Sequence, residues 1–310
     1  MAITKNLITG GSGFIGSHLS KELLNKGEKV ICLDNNLTSS VKNIEPLIVN
    51  PDFELINHDV TEPINIEVDK IWHLASPASP IDYQSNPLET SRTLFLGTYN
   101  MLSLAMKMNA KFLLASTSEV YGDPEQHPQK EIYRGSVKTT GIRSCYEEGK
   151  RISETLCADF KRTYKIDIRI ARIFNTYGPN MRIKDGRVIS NLIVQALRNE
   201  ELYIYGDGKQ TRSFCYIDDL IKGLVLLMES NFQDPINLGH ARELSIVELA
   251  KLIRNTINPN LKLSFKDLPI DDPKRRNPSI LLAKEVLKWE PKIDIKEGLG
   301  KTISWFKKIL

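Results

Sequence analysis

The sequence has few cysteines and no long apolar run. Its four cysteines stand at positions 32, 145, 157 and 215, without the spacing of a metal-binding pair or of a disulfide framework. No apolar stretch is long enough to cross a bilayer, and the N-terminal residues do not form a signal peptide. We therefore expect no metal site, no membrane contact and a cytoplasmic location, where cysteines stay reduced.

The sequence also lacks a strong charge of either sign. Forty-two basic residues against 38 acidic ones leave a net charge of +4, which is too small and too dispersed to favour nucleic acid as a partner. It contains no internal repeat and no low-complexity segment. A chain of 310 residues, 41% of them hydrophobic, is typical of a globular protein with a sizeable core.

A glycine-rich turn lies between a strand pattern and a helix pattern near the N-terminus. Gly10 allows a sharp turn, Gly13 lets a pyrophosphate approach the backbone, and Gly16 lets the helix pack closely on the strand. Asp34 ends the next strand pattern, eighteen residues after Gly16. A carboxylate there bonds the adenosine ribose and repels the 2′-phosphate of NADP, so the pattern predicts NAD.

Strand and helix patterns alternate through the first part of the chain. The predicted strands are 3–9, 29–33, 53–58, 71–75, 112–117 and 167–173, and the main predicted helices are 15–25, 87–109 and 146–164. This alternation predicts an α/β fold with a Rossmann-type, doubly wound parallel sheet. The alternation of strand and helix patterns ends after Phe174. We therefore expect an NAD-binding domain over 1–174 and a smaller, mainly substrate-binding lobe over 175–310, with some segments returning to the sheet.

The stretch 113–122 begins as a buried strand and ends in hydroxyls and one carboxylate. Thr117 lies at the end of that strand, where ligands bind in open parallel sheets. Tyr146 follows 29 residues later, and Lys150 lies four residues beyond it on the same helix face. A nearby ammonium is expected to lower the pKa of the phenol from about 10 toward neutral. Tyr146 could then take a proton from a sugar hydroxyl.

Three arginines in the second half stand in loops or at element ends. Arg187, Arg212 and Arg276 offer guanidinium forks that suit phosphate and carboxylate groups. The segment 175–180 is predicted to be a loop. His73, by contrast, lies inside an apolar run and is predicted to be a core residue.

With these motifs, the sequence resembles members of the extended short-chain dehydrogenase/reductase family that act on nucleotide sugars. The resemblance covers nearly the whole chain. More narrowly, the sequence resembles the UDP-glucuronate decarboxylases, or UDP-xylose synthases, of that family. The stretches that carry the resemblance are 54–60, 72–80, 114–124, 172–176, 185–188 and 271–273 with Arg276.

The resemblance implies NAD-dependent decarboxylation of UDP-glucuronate to UDP-xylose through a 4-keto intermediate, redox-neutral overall. Tyr146 is then the base for the sugar 4-hydroxyl, Lys150 tunes it, and Arg276 approaches from the C-terminal lobe. The implied catalytic residues are Thr117, Ser118, Glu119, Tyr146, Lys150 and Arg276.

The resemblance also implies two sets of binding residues. Those for NAD are Gly10, Gly13, Phe14, Ile15, Gly16, Asp34, Asn35, Asn36, Thr38, Asp59, Val60, Leu74, Ala75, Ser76, Thr93, Tyr146 and Lys150. Those for the UDP-sugar are Pro77, Tyr83, Arg92, Glu119, Asn175, Arg187, Val188, Tyr203, Tyr205, Gln210, Arg212 and Arg276.

Two residues depart from the family pattern. Arg92 replaces a lysine, which keeps the charge but changes its geometry. Leu94 replaces an asparagine, which commonly supports the hydrogen-bond chain of the active site, and a leucine has no amide to offer. Lower activity or a slightly different substrate would follow.

Other functions share parts of these motifs. A 4,6-dehydratase of the GDP-mannose type also carries Thr-Ser-Glu at 117–119, whereas the dTDP-glucose type has Asp in place of Ser118. A UDP-sugar 4-epimerase would share Tyr146 and Lys150 without needing Glu119. A Rossmann-type binding protein without catalysis is favoured only by Leu94.

The helices predicted at 87–109 and 146–164 carry more apolar residues than one sheet face needs. In the family, the equivalent helices pair across a two-fold axis as a four-helix bundle. We therefore expect a homodimer.

Overall fold

The computed structural model describes residues 3–268 and 275–310. Asp271, Asp272 and Pro273, which contribute to the resemblance, lie outside the described residues. The strands are β1 (Lys5–Thr9), β2 (Lys29–Asp34), β3 (Phe53–Asn57), β4 (Lys70–His73), β5 (Lys111–Thr117), β6 (Ile168–Ile173), β7 (Thr176–Tyr177), β8 (Leu202–Tyr205), β9 (Thr211–Ser213), β10 (Cys215–Tyr216), β11 (Pro235–Leu238), β12 (Glu243–Ser245), β13 (Leu263–Lys266) and β14 (Arg275–Arg276).

Ten α-helices occur in the described parts of the chain. They are α1 (Phe14–Asn25), α2 (Pro80–Ser85), α3 (Pro87–Arg92), α4 (Thr98–Met108), α5 (Ser144–Tyr164), α6 (Val188–Leu197), α7 (Ile217–Glu229), α8 (Ile246–Ile257), α9 (Leu281–Leu287) and α10 (Ile295–Ile309). A π-helical turn, Thr93–Gly97, joins α3 to α4. None of these helices combines the length and the apolar character needed to cross a membrane.

Seven strands form one sheet in the order β11-β6-β5-β4-β1-β2-β3, and all of its pairings are parallel. The strand order reverses between β1 and β4. The predicted doubly wound parallel sheet is therefore confirmed. Ligands bind at such a reversal, outside the carboxyl ends of the strands.

Helices cover both faces of this sheet because its strands are apolar on both sides. One face packs against residues of α1 and α7, including Leu19 and Leu220. The other packs against α4 and α5, including Leu102 and Phe160. Both helices of this second face end in left-handed residues, Asn109 and Lys165, which turn the chain back into the sheet.

The C-terminal residues build smaller sheets at the carboxyl edge of the large one. Strands β9, β12 and β14 form one of them, and its register sets Arg276 beside Arg212. The short pair β7 and β10 forms another. The prediction of a loop over 175–180 is therefore wrong at Thr176–Tyr177, because β7 pairs with residues about forty positions later, which no local pattern reveals.

Candidate active site

A cleft of about 620 Å³ opens at the carboxyl ends of β1, β4 and β5, between the large sheet and the C-terminal residues. The glycine turn lines one end of it, Thr117 and Tyr146 line the middle, and Arg212 lines the other end. This arrangement is typical of a site that holds a dinucleotide and a second ligand end to end.

The glycine turn has the form that a dinucleotide requires. Gly10 has a φ of +70°, which residues with a side chain rarely adopt. A Cβ added to Gly16 would lie 2.3 Å from the carbonyl oxygen of Gly10, so the helix approaches the turn as closely as a glycine permits. Gly13 is the N-cap of α1 and makes no side-chain hydrogen bond to the amides of the first turn. These amides and the helix dipole can receive a pyrophosphate.

Asp34 lies at the end of β2 and on the wall of the cleft. Its Oδ2 accepts a hydrogen bond from the Ser12 amide at 3.0 Å, and its Oδ1 accepts from the Asn36 amide and from Ser39 Oγ at 2.9 and 2.8 Å. A carboxylate has about four acceptor sites, so one remains for a ligand hydroxyl. The geometry fits a ribose, and NAD fits this half of the cleft.

Most residues predicted to bind NAD line the cleft. They are Gly10, Gly13, Phe14, Ile15, Gly16, Asp34, Asn35, Thr38, Val60, Leu74, Ala75, Ser76, Thr93, Tyr146 and Lys150. Two predicted residues do not line it. Asn36 accepts a hydrogen bond from Ser12 Oγ at 2.9 Å, and Asp59 accepts one from Asn35 Nδ2 at the same distance. Both support the wall from behind.

Tyr146 and Lys150 share one face of α5, as predicted, but their electrostatics differ from the prediction. Burial, followed by the charge of Glu119, raises the pKa of Tyr146 to about 12, and a hydrogen bond with Thr117 only partly offsets this. Lys150 Nζ donates to the carbonyl oxygen of Ala115 at 2.7 Å and lies 5.9 Å from the centre of the Tyr146 ring. The expected fall in the pKa of the phenol therefore does not arise from Lys150 alone.

The ring of Tyr146 stacks on that of Tyr83, with centroids 5.0 Å apart and planes within 7°. Leu94 belongs to the same buried apolar cluster as both rings. Its side chain fills the notch that Gly149 leaves on α5, and its carbonyl oxygen accepts a hydrogen bond from Ser153 Oγ at 2.8 Å. The departure at position 94 thus forms an apolar wall behind the predicted base.

Glu119 lies at the centre of a buried ion cluster. Its carboxylate accepts two hydrogen bonds from Arg276, one of them at 2.8 Å, and one from Arg143 at 2.6 Å. Arg143 also donates to Glu147 at 3.1 Å. Burial pushes the pKa of Glu119 up, but the two guanidinium groups outweigh it and hold that pKa below its ordinary value. Glu119 is therefore a carboxylate at neutral pH.

Sequence reasoning missed Arg143, which lines the cleft three residues before Tyr146. Two donors of this region have no hydrogen-bond partner among the described residues, namely the phenol oxygen of Tyr83 and Nε of Arg276. Buried donors without acceptors cost free energy, so these two suit a ligand that supplies oxygen atoms.

The residues predicted to bind the UDP-sugar lie along the rest of the cleft, with one exception. Those on its wall are Pro77, Tyr83, Glu119, Asn175, Arg187, Val188, Tyr203, Tyr205, Gln210, Arg212 and Arg276. Ser118 lines it as well. Arg187 is ion-paired with Asp185. Arg92 is the exception, since its half-exposed side chain pairs with Glu62 at 3.1 Å away from the cleft.

Comparison with known proteins identifies relatives of this arrangement. UDP-glucuronic acid decarboxylase 1 of Arabidopsis thaliana is 53% identical over 97% of this chain and 69% of its own length. The protein of that name from Xenopus tropicalis is 53% identical over 98% of this chain and 72% of its own. UDP-glucuronic acid decarboxylase 3 of Arabidopsis thaliana is 55% identical over 94% of this chain and 86% of its own.

Solved structures have the same fold. The UDP-glucuronic acid 4-epimerase of Bacillus cereus, in complex with UDP-glucuronic acid and NAD, superposes with a TM-score of 0.90 at 28% identity, covering 99% of this chain and 100% of its own. A family model described as "NAD dependent epimerase/dehydratase family" matches residues 6–239. The chain therefore belongs to the NAD dependent epimerase/dehydratase family.

Proposed function

We propose that this protein decarboxylates UDP-glucuronate to UDP-xylose, using NAD and regenerating it in each cycle. Relatives at 53–55% identity over nearly the whole chain carry the name UDP-glucuronic acid decarboxylase. The observation that carries the proposal is the buried pair of Glu119 and Arg276 in the same cleft as Tyr146 and Lys150. Oxidation of a sugar hydroxyl by NAD needs only Tyr146 and Lys150 of these four residues.

NAD is the cofactor of this family. The glycine turn and Asp34 would hold its pyrophosphate and ribose, and Lys150 would approach it from α5. When bound, NAD supplies a hydride acceptor for C4 of the sugar and later returns the hydride. The chain itself must move the protons.

Tyr146 is the proposed base for the 4-hydroxyl, and Thr117 bonds the same oxygen. The phenol is neutral in the chain alone, because its pKa is about 12. A phenol gives up its proton more easily as positive charge gathers beside it. The charges of Arg187 and Arg276 act on the phenol in this direction, and Lys150, held against Ala115 on the same helix face, carries a further positive charge.

Decarboxylation follows from the substrate's chemistry once C4 is a ketone. The C5 carboxylate is then that of a β-keto acid, so the C–C bond breaks, CO2 leaves, and the electron pair forms an enolate. A proton must then reach C5. Within the described part of the chain, Nε of Arg276 and the phenol oxygen of Tyr83 have no hydrogen-bond partner, and both suit a carboxylate or an enolate oxygen. We assign Arg276 to holding the carboxylate and to orienting a water that reprotonates C5, because a guanidinium is too weak an acid to give up its own proton easily.

The experiment is incubation with UDP-glucuronate and NAD⁺, with products identified by NMR. Arg276→Ala separates two roles of this residue. If Arg276 acts after oxidation, the variant still forms some NADH at 340 nm while CO2 release falls much further. If both signals fall together and recover together at high substrate, Arg276 only binds the substrate.

A 4-epimerase is the second candidate, because the UDP-glucuronic acid 4-epimerase named above shares the fold at a TM-score of 0.90. That reaction also begins with oxidation at C4 but keeps the carboxylate. The same NMR experiment separates the two, since UDP-galacturonate instead of UDP-xylose would overturn the decarboxylase proposal.

We also propose a homodimer formed by α3, α4 and α5 against the same helices of a second copy. Large apolar side chains are exposed on these helices and on the π-helical turn between α3 and α4, although the sheet face beneath them is already filled. They are Leu88, Phe95, Leu96, Tyr99, Met106 and Ile152. Contiguous exposed apolar surface of this kind favours a protein partner, and a two-fold axis would bring the same helices together. The four free cysteines fit a cytoplasmic location.

A further inference from the structure

Glu154 lies on α5 one turn beyond Lys150 and two turns beyond Tyr146. Sequence reasoning did not single it out. Its carboxylate is mostly buried and reaches β5, where it accepts a hydrogen bond from Ser116 Oγ. Lys150 donates to Ala115, the residue before Ser116. The two side chains therefore bond to successive residues at the carboxyl end of one strand.

Arg172 of β6 fixes the position of this carboxylate. Its Nε donates to Oε1 of Glu154 at 3.0 Å and its Nη2 donates to Oε2 at 2.7 Å. The guanidinium also lies 5.0 Å from the centre of the Tyr121 ring, whose hydroxyl donates to Asn237. A forked pair of this kind has a single geometry. Glu154 is therefore held in one position by β6.

Lys150 is almost fully buried, and a buried ammonium needs a compensating negative charge. The titratable groups that interact with it are Tyr146, Glu154 and Cys157 on α5 and His73 on β4. Burial leaves three of them uncharged at neutral pH. It raises the pKa of Tyr146 to about 12 and that of the Cys157 thiol well above its ordinary value. It lowers the pKa of His73 to about 3. Among the described residues, the acidic group left beside Lys150 is the carboxylate of Glu154, which is ion-paired with Arg172.

We propose that Glu154 is a positioning residue that acts through Lys150: held by Arg172 and Ser116, it supplies the negative charge that keeps the Lys150 side chain an ammonium ion beside Tyr146. The inference rests on the role proposed above for Lys150. It adds the residue on which the charge of that lysine depends. Without Glu154, the buried side chain would release its proton at a lower pH and would no longer offer positive charge to the phenol.

The test measures the charge of Lys150 directly. Purified protein with its bound cofactor is acetylated with trace acetic anhydride between pH 5 and pH 10, and mass spectrometry compares Lys150 with Lys161 of the same helix. Only the free amine reacts, so the pH profile gives the pKa of each lysine. Burial lowers the pKa of Lys150 to about 8 in the native chain. Residues four apart on a helix have Cβ atoms about 6 Å apart, and an opposite charge within about 4–6 Å shifts a pKa by about 1–3 units. At pH 6, each unit by which the pKa of Lys150 falls raises the fraction of its free amine about tenfold.

Glu154→Gln leaves the mostly buried guanidinium of Arg172 without its counter-charge, so the decisive variant is Glu154→Gln with Arg172→Met. We expect its Lys150 profile to move to lower pH by at least one unit, and Glu154→Asp to remain near the native profile. Glu148→Gln is the matched control, because Glu148 lies on the same helix but is exposed beside Arg151. Its profile should not move.

An unchanged Lys150 profile in the double variant, with cooperative thermal unfolding retained, would overturn the inference. Failure of the proposed function has a different signature. If Lys150→Met kept native turnover, Lys150 would have no role in the reaction, whereas the acetylation profiles would still report whether Glu154 controls its charge.

Discussion

Removing the charge of Glu119 should destabilise the fold as well as the chemistry. Glu119→Gln keeps the shape of the side chain but leaves Arg143 and Arg276 buried without their shared anion. Breaking a buried ion pair from one side typically costs about 3–5 kcal/mol. With an unfolding entropy of about 2.1 cal/mol/K per residue, that loss lowers the Tm of a chain of this length by about 5–8 °C.

The loss of Tm in Glu119→Gln should become smaller as the pH falls. The pKa of Glu119 in the folded protein is below the ordinary value of 4.5, so its carboxylate stabilises the fold fully above that value. This contribution is lost as the pH falls through the pKa of the folded state. We therefore expect the full difference in Tm between native protein and variant at pH 7, and a shrinking difference below about pH 4.5.

Differential scanning calorimetry at pH 7 and pH 4 measures both quantities. Glu89→Gln is the control, because Glu89 makes an exposed pair with Arg92 at 3.8 Å and should change the free energy of unfolding by less than about 0.5 kcal/mol. Equal Tm values for native protein and Glu119→Gln at pH 7 would refute the reasoning. So would a difference that grows as the pH falls.

Three further predictions follow from the site. Tyr146→Phe should lower turnover about 10²- to 10⁴-fold while UDP binding changes little, and activity within about threefold of native would refute Tyr146 as the base. NAD⁺ should bind much more tightly than NADP⁺ because of Asp34, and the purified protein should carry bound cofactor; equal affinities in a titration would contradict this. Light scattering at micromolar concentration should give the mass of a dimer, and Phe95→Glu should shift it toward the monomer; a native monomer would exclude the proposed assembly.

The large sheet and the glycine turn were predictable because their signals are local. Gly10, Gly13, Gly16 and Asp34 lie within one strand–helix–strand unit, and their spacing in that context indicates a dinucleotide site. Tyr146 and Lys150 are likewise four residues apart on one helix. In each case the neighbours in the fold are also neighbours in the sequence.

The ion cluster was not predictable in the same way. Glu119 meets Arg143 across 24 residues and Arg276 across 157, and no periodicity links such positions. The pKa of Tyr146 failed as a prediction for a related reason. Burial raises it, and burial is set by Tyr83, Leu94 and the elements that pack around them. The sequence indicates candidate reacting groups more readily than it indicates their surroundings.

The position of β11 has a consequence for how the protein is made. This strand, Pro235–Leu238, is hydrogen-bonded to β6 and lies at one edge of the large sheet. A ribosome must therefore deliver some sixty residues beyond β6 before that edge is covered. In the meantime β6 presents unpaired backbone groups to other chains. We expect a fragment ending at residue 174 to aggregate, and nascent chains of that length to depend on chaperones that shield an open strand.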